Sequence, residues 1–378
     1  MRLGDICSKI GSGATPRGGK EAYSTSGIPI IRSQNVLDWS FSSNGLAYLN
    51  DEQAKTLSNV EVHQGDILLN ITGDSVARAC IVPSDVIPAR VNQHVAILRP
   101  KEKANATFIL AWLQTNKDLL LKLASSGATR NALTKRMLEG LDINLPSIDI
   151  QNHIAALISL IQSKINLNIK LNGYLLELAT TRFEQALFKS NRVVRLGDIV
   201  KLEDSKRVPL NSRDRDARKG PYPYYGATSI MDYVDDYLFD GIRVLLGEDG
   251  SVIDESGRPI LQYVWGKYWV NNHAHILAAA SDYSLEAIYI ALQRTPISHI
   301  VTGAVQRKIS QRNLNKLKLE MPDAKSLEYL QDIFAAYRCN CEENRGLVSL
   351  RDALLPKLMS GEIDVSKIDV AQLNSHLA

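Results

Sequence analysis

The sequence predicts a mixed α/β (α+β) fold, with two tandem domains joined by two long helices that form an antiparallel coiled coil with pseudo-twofold symmetry. Three observations predict this fold class. Several segments occur twice in the chain, each copy opens with short β-type runs, and each copy ends in a long stretch of helical pattern.

Internal duplication is the first observation. The repeated segments are RLGDI at 2–6 and 195–199, VNQHVAIL at 91–98 with VNNHAHIL at 270–277, and SGATRNALTKRMLEGLDINLP at 126–146 with TGAVQRKISQRNLNKLKLEMP at 302–322. Their order is the same in both copies, which indicates duplication of a whole unit. The distance between copies falls from 193 to 176 residues, so the chain between the repeated segments has been rewritten. We therefore expect two versions of one task, directed at different targets.

The β-type runs define the second observation. They are short and bounded by Gly, Pro, Asn and Asp, as in GIPIIRS, GDILLNITG and QHVAILRP of the first copy and IRVLLGEDG and LQYVWG of the second. One helical stretch interrupts each set: ATFILAWLQTNKDLLLKLAS and LEAIYIALQR. The expected parts are domain 1 at 1–146, helix 1 at 147–190, domain 2 at 191–322, helix 2 at 323–360 and a tail at 361–378.

The third observation is heptad spacing in the two helical stretches. Steps of three and four separate Leu327, Leu330, Phe334, Tyr337, Cys341, Asn344 and Val348, and a shift of 176 residues gives Gln151, Ile154, Ile158, Ile161, Ile165, Asn168 and Asn172. Asn168 and Asn344 are equivalent positions near the middle, so in an antiparallel pair we expect them to meet and fix the register. The alternatives are that both amides face solvent on amphipathic helices, or that the two helices lie in the core of one globular body.

Composition sets limits without naming a partner. The net charge of +3 permits local basic patches but does not by itself indicate nucleic-acid binding. The opening residues MRLGDICSKIGSG contain no apolar run long enough for a signal peptide, and no uninterrupted apolar run reaches about 18 residues, so we expect a cytoplasmic protein without a membrane span.

Catalytic motifs are not found in the sequence. GSGATPRGGKEA resembles a phosphate-binding loop but has Ala14 and Glu21 where that loop needs Gly and Ser or Thr. The pair Glu248 and Asp249 lies in a predicted turn, and we favour a turn role over metal binding there. His94, His273 and His275 lie in apolar runs, which favours hydrogen-bonded structural histidines.

Binding residues are better supported. The basic segment 205–220 contains Lys206, Arg207 and Arg213, and the matching region of the first copy contains Arg17, Lys20, Arg32, Ser33, Gln34 and Asn35. Arg, Asn, Gln and Ser are side chains that hydrogen-bond base edges, while Arg and Lys hold phosphates. We add Arg130 and Arg307 from the repeated junction and Tyr225 from YPYYGATS, although packing is the ordinary role of a tyrosine.

At this point the sequence resembles the specificity (S) subunits of type I restriction–modification systems. The resemblance is carried by RLGDI at the start of each half, GIPIIRSQNV, GDILLNITGD, VNQHVAIL and the SGATRNALTKRMLEGLDINLPS junction. In the second half it is carried by YPYYGATSIMDYVDDYLFDGIRVLLGEDGSV, VNNHAHIL, TGAVQRKIS and LLPKLMSGEIDV. The helix starts depart from the family, since PSIDIQNHI and PDAKSLEYL stand where members often have PP-x-x-EQ.

The resemblance implies two target recognition domains that each read half of a split double-stranded DNA sequence. It implies no catalysis and no cofactor. It also implies that two methyltransferase (M) subunits bind the chain, with two restriction (R) subunits attached through them. Two other classes stay open: a duplicated α/β enzyme, which S-adenosylmethionine or ATP binding would reveal, and a protein-binding scaffold, which would lack salt-dependent retention on DNA.

Overall fold

The computed structural model describes residues 1–16, 18, 22–125, 131–303 and 306–367. The chain divides into two compact units, and the division falls inside both long helices. Unit 1 contains Met1–Asn168 together with the chain from Glu343, and unit 2 contains Ile169–Glu342. The mixed fold with two tandem domains is therefore confirmed, and each unit includes part of each long helix.

Unit 1 opens with a short helix and then builds two small sheets. Its elements are α1 (Leu3–Ile6), β1 (Cys7–Ser12), β2 (Ile28–Ile31), β3 (Ala47–Leu49), α2 (Asp51–Thr56), β4 (Glu61–Val62), β5 (Ile67–Asn70), β6 (Ala79–Ile81), β7 (Ala89–Val91), β8 (Val95–Pro100), α3 (Ala106–Thr115), α4 (Lys117–Ser125) and α5 (Lys135–Glu139). The long helix α6 (Ile148–Lys189) follows and continues into unit 2.

The elements of unit 2 repeat the strand order of the unit 1 sheets, but the short helices differ and four short strands are added. They are β9 (Arg192–Arg195), α7 (Leu196–Ile199), β10 (Val200–Leu202), α8 (Ser212–Ala217), β11 (Lys219–Tyr225), β12 (Ile230–Val234), β13 (Phe239–Asp240), β14 (Arg243–Gly247), β15 (Leu261–Val264), β16 (Lys267–Val270), β17 (Ala274–Ala279), α9 (Leu285–Arg294), β18 (Val301–Thr302), β19 (Lys308–Ile309), α10 (Gln311–Asn315) and β20 (Lys318–Met321). The second long helix is α11 (Tyr329–Ser360), which returns to unit 1.

Strand topology is the same in the two units. Unit 1 has sheets ordered β1-β8-β5-β6 and β3-β2-β7-β4, and unit 2 has β10-β17-β14-β15 and β12-β11-β16-β13. The pairs β2–β7 and β11–β16 are parallel, and the other pairs in these four sheets are antiparallel. The duplication seen in the sequence thus extends to every strand of these sheets.

Burial on both faces explains why the central strand β5 is apolar up to its last residue, Asn70. Ile67 and Leu69 pack into one apolar cluster with α3, and Leu68 packs into a second cluster with β2 and β7. Helix α3 packs Phe108, Ile109 and Leu113 into the unit 1 core. In unit 2, α9 packs Ile288 and Leu292 into the corresponding core.

Two helix boundaries differ from the expected ones. The stretch predicted as one helix in domain 1 is two helices, because the chain leaves helical geometry at Asn116 (φ −100°, ψ 23°) between α3 and α4. The second long helix begins at Tyr329, after a 3₁₀ turn over Ala324–Leu327.

The long helices pair antiparallel within each unit. In unit 1, Arg351 Nη1 donates to Gln162 Oε1 over 2.9 Å, while in unit 2 Asn172 Nδ2 donates to Cys341 Sγ over 3.2 Å. The residue number on α11 falls as that on α6 rises, as antiparallel packing requires. Buried positions on α6 match the predicted heptad: Gln151, Ile154, Ile158, Ile161, Ile165, Asn168 and Asn172. Within the described residues, no helix combines the length and apolar character needed to cross a membrane.

Candidate nucleic-acid interface

Three segments of unit 1 meet where β5 ends. The backbone N–H of Ile71 donates to the carbonyl of His94 over 3.0 Å, and Leu133 N–H donates to the carbonyl of Ile71 over 2.8 Å. Gly73 turns the chain with a φ of +75° and donates its N–H to the carbonyl of Asn131 over 3.3 Å. Glycine is suited to that left-handed conformation because it has no Cβ. These bonds place the loop after β5 beside the loop after β7 and the junction segment.

The same frame exists in unit 2. Glu248 N–H donates to the carbonyl of His273 over 2.8 Å, and Ile309 N–H donates to that of Glu248 over 2.9 Å. Gly250 has a φ of +79° and donates to the carbonyl of Arg307 over 3.0 Å. Each bond has its counterpart in unit 1, so the duplicated backbone presents loop side chains at equivalent places in the two units.

The repeated histidines are held by these loops. His94 Nδ1 lies 2.7 Å from Thr72 Oγ1, and His273 Nδ1 lies 2.6 Å from Asp249 Oδ1. Both histidines also receive the same backbone cap, because the amide oxygens of Asn92 and Asn271 accept from their N–H groups. They are hydrogen-bonded as expected, and each remains partly exposed at the edge of its sheet.

The loop after β2 contains four of the predicted binding residues. Arg32 Nη2 and Gln34 Nε2 both donate to the carbonyl of Gly45, and the Arg32 guanidinium lies 5.6 Å from the ring centre of Tyr23. Arg32 and Ser33 are partly exposed and Gln34 is exposed. All three side chains therefore lie at least partly at the protein surface.

Asn35 was predicted to bind DNA, and the structure contradicts this. It is fully buried, its Nδ2 donates to the carbonyl of Ser42 over 2.9 Å, and its Oδ1 accepts from Arg32 N–H over 3.0 Å. The amide is therefore used to fold the loop and is not available to a base edge.

A polar cleft of about 440 Å³ lies beside this loop. It is lined by Ser33, Gln34, Thr72, Gly73, Asp74, Ser75, Arg78 and His94. Arg78 is not among the predicted binding residues, because ARACIVP has the pattern of a β-type run. The structure shows that Arg78 precedes β6 and faces the cleft.

The basic segment of unit 2 is ordered by internal ion pairs. It folds into helix α8, whose first turn is capped by Asn211, and then enters β11. Arg215 pairs with Asp232, Arg218 with Asp235, and Lys219 with Asp232, at 3.3, 2.9 and 2.8 Å. Lys219 lowers the pKa of Asp232 through its hydrogen bond to that carboxylate. Much of the positive charge in this segment is therefore neutralised within the unit.

Arg207 is a second correction. Its side chain is 13% exposed, and Nη1 donates to Glu248 Oε2 and to the carbonyl of Ala274, each over 2.7 Å. Lys206 is more exposed but pairs with Glu203 over 2.6 Å. By contrast, Arg213 is exposed on α8 and its guanidinium has no partner among the residues that the structure describes.

Tyr225 is a third correction. Its residue surface is 8% exposed, and its ring packs edge-on against Tyr268 with the centres 5.7 Å apart. The ring belongs to a small apolar cluster with Phe239 and Val270. It therefore packs the sheet, and it does not present a face to DNA.

Asp204, Glu248 and His275 lie close together in unit 2, with Asp204 and His275 buried and Glu248 partly buried. His275 Nδ1 lies 2.6 Å from Asp204 Oδ2 and its Nε2 lies 2.8 Å from the carbonyl of Ile309, so both ring nitrogens face acceptors. Burial raises the pKa of Asp204, but hydrogen bonds, first from His275, outweigh it and hold the pKa below its usual range. The Arg207 guanidinium already neutralises Glu248, so the group is a closed ion-pair network.

Of the remaining predicted binding residues, the structure describes only Arg307. Arg307 is exposed, with its carbonyl in the backbone frame of unit 2. Arg17, Lys20 and Arg130 fall outside the described residues.

The predicted asparagine contact lies in the unit 1 part of the helix pair. Asn168 Nδ2 is 2.9 Å from Asn344 Oδ1 and 2.7 Å from Glu343 Oε2. Asn344 Nδ2 donates to the carbonyl of Ile165 over 3.3 Å. The two amides therefore touch, and their role in setting register stays a prediction.

Comparison with known proteins assigns a family. The model of the "Type I restriction modification DNA specificity domain" matches residues 1–175 and 189–337. A protein assigned as a type I restriction enzyme specificity subunit in Haemophilus influenzae is 30% identical over 127 residues, which span 34% of this chain and 32% of that one. The type I restriction enzyme MjaIX specificity subunit of Methanocaldococcus jannaschii is 23% identical over 97% of this chain and 94% of its own length. The crystal structure of a type I restriction–modification S subunit from M. genitalium shares the fold, with a TM-score of 0.53, 15% identity and 95% coverage of both chains.

Proposed function

The chain belongs to the type I restriction–modification DNA specificity family, and we propose on this basis that it is the sequence-specific DNA-binding subunit of such a complex. Each unit reads one half of a bipartite double-stranded target, and the long helices set the gap between the halves. The chain contributes recognition without catalysis or a cofactor, while methylation and cleavage belong to M and R subunits.

The observation that carries this proposal is the matched backbone frame with unmatched side chains. The same hydrogen bonds join the loops of both units, yet Thr72 of one unit corresponds to Asp249 of the other. A common frame that presents different donors and acceptors is what two readers of different half-sites need.

Docking of M subunits is supported by the exposed face of α6. In unit 2, Leu171, Tyr174 and Leu178 are 43%, 56% and 43% exposed and follow each other at steps of three and four. That spacing puts three large apolar side chains on one helical stripe, which a partner helix can cover. We propose that two M subunits bind the helices and that two R subunits attach through them.

The test is the exchange of one recognition domain. Residues 1–146 are replaced by the corresponding part of another family member, and methylated sites are mapped in a strain that expresses the hybrid with the M subunit. One half-site should change while the other half-site and the gap are kept.

Two results would count against the proposal. A hybrid that changes both half-sites would show that the units do not read independently. A purified wild-type chain without salt-dependent retention on duplex DNA would favour the scaffold alternative, and one that binds S-adenosylmethionine or ATP by itself would favour the enzyme alternative.

A further inference from the structure

Arg78 differs from the other arginines that line the sheets. It is partly buried in the unit 1 cleft, and no described residue gives its guanidinium a hydrogen bond or an ion pair. Arg90 and Arg99 of the same unit are paired with Glu61 and Asp66. Partial burial of an unpaired cation is unfavourable unless an external group completes its hydrogen bonds.

The backbone before Arg78 is strained. Ala77 has a φ of +69° although it has a side chain, and it is 1% exposed. Backbone bonds impose this conformation: Ala77 N–H donates to the carbonyl of Asn70 over 2.9 Å, and Asn70 N–H donates to that of Arg78 over 2.8 Å. Strain of this kind persists where the surrounding structure enforces it, and it is enriched at binding sites. Here it fixes the direction in which Arg78 leaves the turn.

The other cleft residues indicate which part of DNA fits. Asp74 is exposed at the cleft, and its carboxylate has no partner among the described residues. A carboxylate repels a phosphate, but it accepts from a base amino group. Ser33 and Gln34 add a hydroxyl and an amide oxygen to the same cleft. A cleft with a free guanidinium and a free carboxylate is complementary to the edge of a G·C pair, which offers O6 and N7 acceptors and an N4 donor.

We propose that this cleft reads a G·C pair of the first half-site, with Arg78 donating to guanine O6 and N7 and Asp74 accepting from cytosine N4. The inference rests on the proposed DNA-binding function and names the reading residues of one unit. Unit 2 has no counterpart of Arg78. The backbone bond that joins Asn70 N–H to the carbonyl of Arg78 is matched there by a bond from Gly247 N–H to the carbonyl of Ile260, so an isoleucine takes the place of the arginine. The second half-site therefore serves as an internal control.

The experiment is selection from a randomised duplex DNA pool by the full chain, followed by affinity measurements on the selected sequence and its single-base variants. Arg78→Ala should lower the preference for guanine at one position by about ten- to hundredfold, with the second half-site unchanged. Arg78→Lys should not restore the preference, because an ammonium group cannot form the bidentate contact. Since Arg78 has no partner among the residues that the structure describes, the unfolding midpoint should stay at the wild-type value.

Arg136→Ala is the matched control: this arginine of α5 is exposed, has no partner among the described residues, and is not one of the residues that line the cleft. It should leave base preference intact. A uniform loss of affinity in Arg78→Ala with a shallower salt slope, restored by Arg78→Lys, would identify a phosphate contact and overturn the proposal. Unchanged base preference in Arg78→Ala would also overturn it. If the wild-type chain selected no sequence at all, the proposed function would fail as well.

Discussion

At the position where the central strand of each unit begins, unit 1 has Asp66 and unit 2 has Arg243. Asp66 accepts from Arg99 of β8 over 2.7 Å, while Arg243 donates to Glu203 over 2.7 Å. The hydrogen bond with Asp66 raises the pKa of Arg99. The same backbone position thus accommodates either sign of charge, provided that an adjacent segment supplies the opposite one. At this position the two units therefore differ in both members of the charged pair.

The surroundings of Asp204 and His275 in unit 2 differ more strongly from the matched region of unit 1. Unit 2 buries Asp204 and His275, whereas the strand registers put Ser12 and Ala96 at the matched places in unit 1. In unit 2, this network pairs Arg207, while Asp232 of β12 and Asp235 just after it pair Arg215, Arg218 and Lys219. In unit 1, Arg78 has no partner among the described residues. A basic segment in the sequence is therefore a poor guide to which charges are free to bind DNA.

The largest expected effect is on the stability of unit 2. Asp204→Ala leaves buried His275, Gln311 and the backbone N–H of Ile276 without their acceptor, and should cost about 3–5 kcal/mol. Ser12→Ala, at the matched exposed position of unit 1, should change stability by about 0.5 kcal/mol or less. Hydrogen exchange of amides in β14 measures the stability of unit 2, and exchange in β5 measures that of unit 1. Equal protection of β14 in both variants would show that the buried network does not stabilise unit 2.

Acid should weaken the same network. Burial raises the pKa values of Glu203 and Asp204, but hydrogen bonds, first from Lys206 and His275 respectively, hold both below their usual range. A carboxylate with a lowered folded-state pKa stabilises the fold above its unfolded value of about 4, and this stability is lost as pH falls through the folded-state pKa. Denaturant unfolding of unit 2 should therefore become easier below about pH 4, and Asp204→Asn should flatten that dependence. A variant with the wild-type pH profile would contradict this assignment.

The asparagine pair should affect specificity more than stability. A buried amide pair destabilises a helix seam relative to Leu but disfavours slipped registers, in which the amides lose their partners. The double variant Asn168→Leu, Asn344→Leu should stay folded, shift its melting temperature and accept more than one gap length. Methylation of targets with altered gaps measures this. A double variant that kept both the melting temperature and the gap preference of the wild type would refute the register role.

The smallest expected effect is that of Arg213→Ala, and it contrasts with that of Arg207→Ala in the same basic segment. Arg213→Ala should leave stability unchanged and reduce the salt slope of DNA binding by about one unit if it holds one phosphate. Arg207→Ala should instead destabilise unit 2, because it leaves Glu248 buried without its closest partner. Unfolding midpoints and affinities at several salt concentrations test both variants. The same reduction in salt slope for both would contradict the contrast drawn from their burial.

Much of the architecture was determined by the sequence itself. Repeated segments predicted two copies of one domain because duplication preserves order, and heptad spacing predicted the helix pair because helical periodicity is a local property. The same spacing led to Asn168 and Asn344, which lie 2.9 Å apart. These inferences needed only the chain's own periodicity.

The availability of each polar side chain was decided by tertiary structure alone. Asn35, Arg207 and Tyr225 have the residue types of a DNA interface, yet Ser42, Glu248 and Tyr268 engage them inside the fold. Arg78 lay within a β-type run and was missed, because the turn at Ala77 that directs it into the cleft is set by backbone bonds to Asn70. Whether a charge is free depends on the groups that folding brings beside it. For Arg207 and Glu248 those groups are 41 residues apart in the chain, so local sequence could not reveal the pairing.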